Sequence, residues 1–367
     1  MKILHAIDTT GSGGAETIFC SLAQRFNRSP FESVAAIPGP GWLQDELNRM
    51  SIATFCVRSD SGFRMRYLAG LISLIRREQI DLIHSHLLGS NLYCSIAGSL
   101  TNKPVIATFH GITDTNLSRS TTKIKVRLTE IMSNGIVAVS QSLARQIVVN
   151  FGVNEDRINC IGNGVDLKVF RAQGNRESQE KGGDVHYEVV IGALGNVRNA
   201  KGYDVLVQAA SLLKSRGLNF RLLIAGDNTN NLAASLVNLV EKLGLEQQIT
   251  FLGYQDDVPC FLNSLDVFVL SSVSEGFSLA TVQALCCGLP VVATRCGGPE
   301  EILRGSQAGS LVPVNDPTAM ADALEALISN ADFRAKLSKR ATEFARDQYD
   351  IELMFNSYKD LYLSTKY

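Results

Sequence analysis

The chain reads as an α/β protein of two lobes, each built on a parallel β-sheet, and three observations predict this. Its 367 residues exceed the length over which one core usually keeps growing, which favours two domains of about 150 to 200 residues. Short apolar runs alternate with helical-period segments, the pattern of βαβ units around a parallel sheet. Between two such series lies Arg171 to Val185, a polar, glycine-bearing stretch without periodicity that reads as a linker. Two lobes imply a cleft.

In the first half the apolar runs Lys2 to Ile7, Ser33 to Ile37, Leu82 to Ser85, Val105 to Phe109 and Gly135 to Ser140 read as strands. Residues 15–27, 64–78, 89–100 and 141–150 carry the helical period between them. After the linker, strands are expected at Val189 to Leu194, Phe220 to Ala225, Thr250 to Leu252, Val267 to Leu270, Val291 to Ala293 and Ser310 to Val312. From Pro317 on the pattern is helical, with Asp332 to Arg346 and Ile351 to Leu363 as amphipathic stretches.

Composition narrows the class. With 45% hydrophobic and 19% charged residues and a net charge of −1, the chain is globular, and nucleic acid is not the obvious partner. Residues 1–170 carry 17 Lys/Arg against 13 Asp/Glu, net +4, and the remainder 18 against 23, net −5. No apolar run approaches the roughly 18 residues of a spanning helix, and the first residues enter a strand pattern without a signal peptide. The expected location is the cytoplasm. The eight cysteines show no Cys-x-x-Cys spacing, and most have apolar neighbours, so buried thiols without metal or redox roles are expected.

The candidate chemistry lies at strand ends. The first strand runs into Asp8-Thr9-Thr10-Gly11-Ser12-Gly13-Gly14-Ala15-Glu16, where glycines and a helix start fit either a phosphate-binding turn or an ordinary tight turn. Two further strands end in Ile83-His84-Ser85-His86 and Thr108-Phe109-His110-Gly111. His110 is the better ligand candidate, His84 reads as a satisfied core histidine, and His86 is left open. In the second half Gly195-Asn196-Val197-Arg198-Asn199-Ala200-Lys201-Gly202 puts two cations on a strand-end turn, suited to a diphosphate. The most informative run is Ser274-Glu275-Gly276-Phe277-Ser278-Leu279-Ala280-Thr281-Val282-Gln283, after the apolar strand and before Gly288-Leu289-Pro290. A carboxylate before a helix, a glycine, and unused N–H groups at 277–279 would hold a sugar hydroxyl beside a phosphate. Eight residues from Glu275 is about two helical turns, which places Gln283 on roughly the same face as the helix start.

Taken together these segments resemble glycosyltransferase family 4, retaining enzymes of the two-lobed GT-B fold. The resemblance rests on Gly13-Gly14-Ala15-Glu16, Thr108-Phe109-His110-Gly111, Val139-Ser140, Asn163-Gly164-Val165-Asp166, Lys201-Gly202, Ala225-Gly226-Asp227, Phe251-Leu252-Gly253, Glu275-Gly276-Phe277-Ser278 and Gly297-Gly298-Pro299-Glu300. It implies two Rossmann-like lobes facing across a cleft, with residues 1–170 and the chain from Ile351 (350–367 in outline) binding acceptor, and 186–349 binding donor. It implies a nucleoside diphosphate sugar, of UDP or GDP type, as co-substrate, with no cofactor and no metal. Glu275 would meet the sugar hydroxyls, the amides of Gly276, Phe277, Ser278 and Leu279 with Lys201 the diphosphate, and Gly14 would assist from the first lobe. His110 would stand near the reacting sugar, backbone around Gly253 and Tyr254 would meet the base, and Asp227 would be a structural turn residue.

Two positions depart from the family pattern. Gln283 replaces a second glutamate that holds the ribose, a change from a charged to a neutral hydrogen bond worth roughly 1 kcal/mol, or about five- to tenfold in affinity. Asn196 stands where many members carry an arginine, and Arg198 is the substitute.

The expected reaction is retaining transfer of a hexose-type sugar to a glycan or polyprenyl-linked acceptor in bacterial surface polysaccharide synthesis. The alternatives are a sugar-nucleotide epimerase of the same fold and a catalytically weakened binding subunit. Arg119 to Arg127, with four cations and no acid, and Phe63 to Arg77 read either as solvated basic faces or as peripheral contacts to the inner face of the membrane.

Overall fold

The computed structural model describes residues 1–58, 65–111, 121–173 and 188–365. The linker reading therefore lies outside the described residues except for 171–173, as do Arg119 and Ser120 of the basic stretch and Phe63 and Arg64. Contacts divide the chain into two units, Met1–Asn163 with Glu352–Tyr367, and Gly164–Ile351.

The first unit holds a seven-stranded parallel sheet of β1 (Lys2–Ile7), β2 (Glu32–Ile37), β3 (Ala53–Cys56), β4 (Leu82–His86), β5 (Val105–Phe109), β6 (Gly135–Ala138) and β7 (Ile158–Cys160), in the order β3-β2-β1-β4-β5-β6-β7. Its helices are α1 (Gly14–Arg25), α2 (Trp42–Arg49), α3 (Met65–Arg77), α4 (Leu88–Thr101), α5 (Thr122–Met132) and α6 (Gln141–Phe151). Strands β1, β4 and β5 are buried over nearly their whole length, as continuous apolar runs covered on both faces should be. The structure adds β3 and β7, which were not expected. Both are short edge strands with exposed residues, so neither offers a buried run to read.

The second unit repeats the scheme with β8 (Val189–Leu194), β9 (Phe220–Ala225), β10 (Ile249–Gly253), β11 (Val267–Leu270), β12 (Val291–Thr294) and β13 (Gly309–Val312), ordered β10-β9-β8-β11-β12-β13. Around it lie α7 (Tyr203–Ser215), α8 (Asn231–Lys242), α9 (Val258–Asn263), α10 (Leu279–Cys286), α11 (Gly298–Ser306), α12 (Pro317–Ile328) and α13 (Ala331–Gln348). The last helix, α14 (Ile351–Thr365), belongs to the first unit from Glu352 on. Where the chain enters and leaves the second unit, Val165 bridges Asp350, and a Cβ on Gly164 would lie 2.5 Å from the Ile351 Cα. The Asn-Gly-Val-Asp motif is thus a backbone joint.

None of the cysteines forms a disulfide among the described residues, and only Cys20, Cys94, Cys286 and Cys287 are buried. Cys56 and Cys160 are exposed because they end the two edge strands, which corrects the expectation of burial.

Candidate active site

In the second unit the strand order reverses between β8 and β11, so the carboxyl ends of these neighbours form the switch point at which open α/β sheets bind ligands. The loop after β8 carries Lys201 and the loop after β11 carries Glu275. Two hydrogen bonds tie the loops together, Val273 N donating to Ala200 O (2.8 Å) and the Ser271 hydroxyl to Lys201 O (2.8 Å). Gly202 has φ +58°, and a Cβ there would stand 2.3 Å from Ser271 O, so a side chain would push the loops apart.

Held in this way, Lys201 Nζ donates to Glu275 Oε1 at 2.7 Å, and Ser272 Oγ donates to the same oxygen at 2.7 Å. The pair is largely covered, with side-chain exposures of 23% and 16%. Glu275 is also fixed by its backbone, its N–H donating to Cys296 O and its carbonyl accepting from Gly298 N. Its Oε2 accepts no hydrogen bond from the described residues.

Beyond Glu275 the chain does not enter a helix at once. α10 starts only at Leu279, after Ser278, which takes a left-handed φ of +80° and caps the helix by accepting from Thr281 N. A non-glycine residue in that region costs on the order of 1–3 kcal/mol, strain of the kind that collects at ligand sites. Glu275 and Gln283 therefore do not share one helix, and the two-turn spacing argument does not hold. Gln283 instead lies one turn in from Leu279, on the same face as the helix start. It is 8% exposed, and its side chain has no hydrogen-bond partner among the described residues. The amides of Phe277, Ser278 and Leu279 likewise donate to none of the described residues. Gly298 closes against this turn, where a Cβ would meet Phe277 backbone atoms at 2.4 Å.

The remaining predicted residues of this unit lie at the end of β10 and on the loops after β8, β9 and β10. Asn196 Oδ1 accepts from Asp227 N (3.0 Å), which joins the loops after β8 and β9. Asp227 accepts from the amide and hydroxyl of Thr229, and these bonds hold its carboxyl below the usual range. It is a turn residue. Arg198 is exposed. Gly253 (φ +72°) ends β10, with the half-exposed Tyr254 after it.

In the first unit the order reverses between β1 and β4. The β1 exit leads to Gly13, the N-cap of α1, and Gly14 opens that helix. Glu16 folds back to accept from Thr9 Oγ1 at 2.6 Å, so part of this glycine turn is satisfied by its own chain. On one sheet face His5 stands opposite His84, and His86 lies two residues farther along β4. All three are fully buried. His84 Nε2 pairs with Thr108 Oγ1 at 2.8 Å and its Nδ1 with the Tyr362 hydroxyl, so it is a satisfied core histidine. Tyr358 also reaches Thr108, and both tyrosines come from α14. His86 Nδ1 bonds His110 Nε2 at 2.8 Å. Desolvation lowers the pKa of His5, His84, His86 and His110, that of His5 to about 3, so the set is neutral near pH 7. Nitrogens of His5, His84 and His86 lie within 4.8 Å of one another, a spacing a metal ion could bridge, but both His84 nitrogens are already bonded.

The predicted residues thus fall into two sets. Gly14 and His110 belong to the first unit. Lys201, Glu275, Asn196, Arg198, Gly253, Tyr254, Gln283 and the 276–279 turn belong to the second. Sequence reasoning missed Ser272, whose hydroxyl shares Glu275 Oε1 with Lys201, and it missed the tyrosines of α14. No local signal marks either. The two-residue spacing of His84 and His86 puts those two on one sheet face, but the link from His86 to His110 crosses 24 residues to the end of the neighbouring strand.

Residues 12–169 match the family described as Glycosyltransferase Family 4, and residues 175–344 the family described as Glycosyl transferases group 1. The chain is 31% identical over 291 residues to the D-inositol 3-phosphate glycosyltransferase of Pseudarthrobacter chlorophenolicus, covering 74% of this chain and 68% of that protein. It is 25% identical over 337 residues to an Escherichia coli UDP-Gal:alpha-D-GlcNAc-diphosphoundecaprenol alpha-1,3-galactosyltransferase, covering 89% and 86%. In fold it is similar to Anabaena HepE in complex with UDP-glucose, with a TM-score of 0.88 at 21% identity over 99% of this chain and 100% of that one.

Proposed function

Because this chain belongs to glycosyltransferase family 4 and is a glycosyltransferase of the GT-B fold, we propose that it moves a hexose-type sugar, with retention, from a nucleoside diphosphate to a glycan or lipid-linked acceptor. The observation that carries this reading is the Lys201–Glu275–Ser272 cluster at the switch point, next to three unused amides at the start of α10. The amides and Lys201 face developing negative charge on a departing diphosphate, the kind of preorganised donor set that is often the largest catalytic term. Glu275, with Oε2 to spare, orients sugar hydroxyls. Gln283 takes the ribose with a neutral amide. Arg198 and Asn196 border the diphosphate, and Gly253 and Tyr254 the base.

In this scheme the cations and amides do without a metal ion. Gly14, at the start of α1, assists the diphosphate from the first unit, and His110 meets the sugar as a neutral imidazole that gives or takes one hydrogen bond. A UDP-sugar is the first donor to try, since the E. coli relative is named for UDP-Gal and the similar HepE structure holds UDP-glucose. The same relative's name supports a polyprenyl-diphosphate sugar as acceptor. The relatives reported are transferases, which favours transfer over epimerisation or a purely binding role.

Peripheral membrane contact belongs to this reading. No helix of the described residues is long and apolar enough to cross a membrane. α5, however, turns Ile124 (61% exposed), Leu128 (38%) and Ile131 (68%) outward beside Lys123 and Arg127, and α3 carries Arg66, Arg76 and Arg77 on its exposed side. An apolar stripe flanked by cations suits the surface of an anionic bilayer. Flotation should require anionic lipid and fail in high salt.

The direct test is transfer from UDP-glucose, UDP-galactose and GDP-mannose to a prenyl-diphosphate sugar, with the new linkage read by NMR. An α-linked product from an α-linked donor supports the proposal. A new free epimer without acceptor, or inversion at the anomeric carbon, would refute it.

A further inference from the structure

His86 is buried at the carboxyl end of β4, and the activity proposed above leaves it without a role. Its ring meets that of His110 edge to edge and nearly coplanar, with centroids 5.1 Å apart and planes at 22°, and its Nδ1 bonds His110 Nε2 at 2.8 Å. Phe19 closes on it edge-on at 5.3 Å, and His84 lies 4.1 Å away, itself bonded to Thr108 and Tyr362. The other nitrogen of His86, Nε2, is buried and unpartnered among the described residues.

We propose that His86 is a positioning residue for His110, donating Nδ1–H to His110 Nε2 and so fixing both the plane of that imidazole and the nitrogen that carries its proton. The proton assignment follows from the orphaned nitrogen. Were the His86 proton on Nε2, an N–H would be buried without an acceptor, which is rarer and costlier than a bare ring nitrogen in the same place. The proton therefore sits on Nδ1, the His110 Nε2 accepts, and His110 keeps its own proton on Nδ1. Desolvation keeps both rings neutral, so one hydrogen is shared by one donor and one acceptor, and the contact has a single satisfied arrangement. The inference rests on the reading of His110 as a group that meets the sugar, since only then does its tautomer matter to turnover. Tyr362 and Thr108 hold His84, whose ring lies 4.1 Å from that of His86, so helix α14 braces the neighbour of His86.

The test uses the full chain and two substitutions. H86F keeps an aromatic ring but removes the donor, and H86N returns an N–H near the position of Nδ1. Nitrogen NMR of the imidazoles should show wild-type His110 protonated at Nδ1 and bare at Nε2, with a mixture of tautomers in H86F. With an active donor and acceptor pair, kcat should fall about tenfold in H86F with the donor KM little changed, and return to within about threefold in H86N, as expected for one neutral hydrogen bond. Wild-type His110 carrying its proton on Nε2 would overturn the proposal, as would an H86F enzyme with unchanged kcat and unchanged tautomer. If the wild-type protein transfers no sugar from any donor, the reading of function fails, while the tautomer measurement still decides the role of His86.

Discussion

The two units use one topology, with the strand order reversing beside the first strand of each, yet they fill the switch point with opposite chemistry. In the first unit the polar groups are buried neutral imidazoles, with His86 bonded to His110 and His84 to Thr108 and to Tyr362 of α14. In the second they are ions and unused amides on loops, where Lys201 and Glu275 keep some exposure and Gln283 has no partner among the described residues. The difference separates two tasks. A buried neutral network holds geometry, because the bonds it makes close on partners within the chain. Charged groups at a rim with bonding capacity left over bind a charged ligand, because their remaining partners must come from outside the chain.

Substitutions should therefore act differently in the two units, and the largest effect is expected at the second. Lys201→Met should lower kcat/KM by roughly a hundred- to a thousandfold, the usual cost of one preorganised charge-stabilising donor, while moving the unfolding temperature little. A large loss of stability with normal turnover would break the comparison. In the first unit the reverse is expected. Tyr362→Phe leaves His84 Nδ1 buried and unpaired, at about 1–3 kcal/mol of stability, and should spare kcat far more than Lys201→Met does.

Acid should separate the units further. Burial lowers the folded pKa of His5, His84, His86 and His110 below the unfolded value near 6.5, so these rings favour folding when neutral. Their contribution is complete above about pH 6.5 and is lost as pH falls from there toward the folded pKa, with a slope of up to about 1.4 kcal/mol per pH unit for each ring. Thermal unfolding across pH 7 to 5 should show the midpoint dropping. A flat profile would mean that the rings protonate without cost. The smallest expected effect is a gain: Gln283→Glu should tighten nucleoside diphosphate binding by about five- to tenfold, the difference between a neutral and a charged hydrogen bond.

The same contrast explains what could be read from sequence. Strands such as Val105–Phe109 and Val267–Leu270 are buried apolar runs and stand in the structure at the expected residues, whereas Ala53–Cys56 and Ile158–Cys160 are edges with little to bury. α5 was read only as a basic stretch because its cations and exposed apolar residues share the outward side, and its buried face is the short set Thr122, Val126, Thr129 and Glu130. At the site, Lys201 and Glu275 were legible because each stands at a strand end in a distinctive local run. Their direct pairing, with Ser272 donating to the same oxygen, was not, since 74 residues separate Lys201 from Glu275. The late start of α10 escaped for a different reason: it depends on Ser278 adopting a left-handed backbone, which serine does not advertise. Asn196 was noted as a departure from the family pattern, but its bond to Asp227 N crosses between two loops and appears only in the fold.

The central claim is that the second unit's switch-point loops hold a nucleoside diphosphate. Thermal unfolding of the wild-type chain and of Lys201→Met with UDP, GDP and ADP tests it most directly. At a ligand concentration of 100 times Kd the preferred diphosphate should stabilise the wild-type protein by about 2.7 kcal/mol, and the same concentration should stabilise Lys201→Met far less. No stabilisation by any of the three, or equal stabilisation of both proteins, would contradict the account.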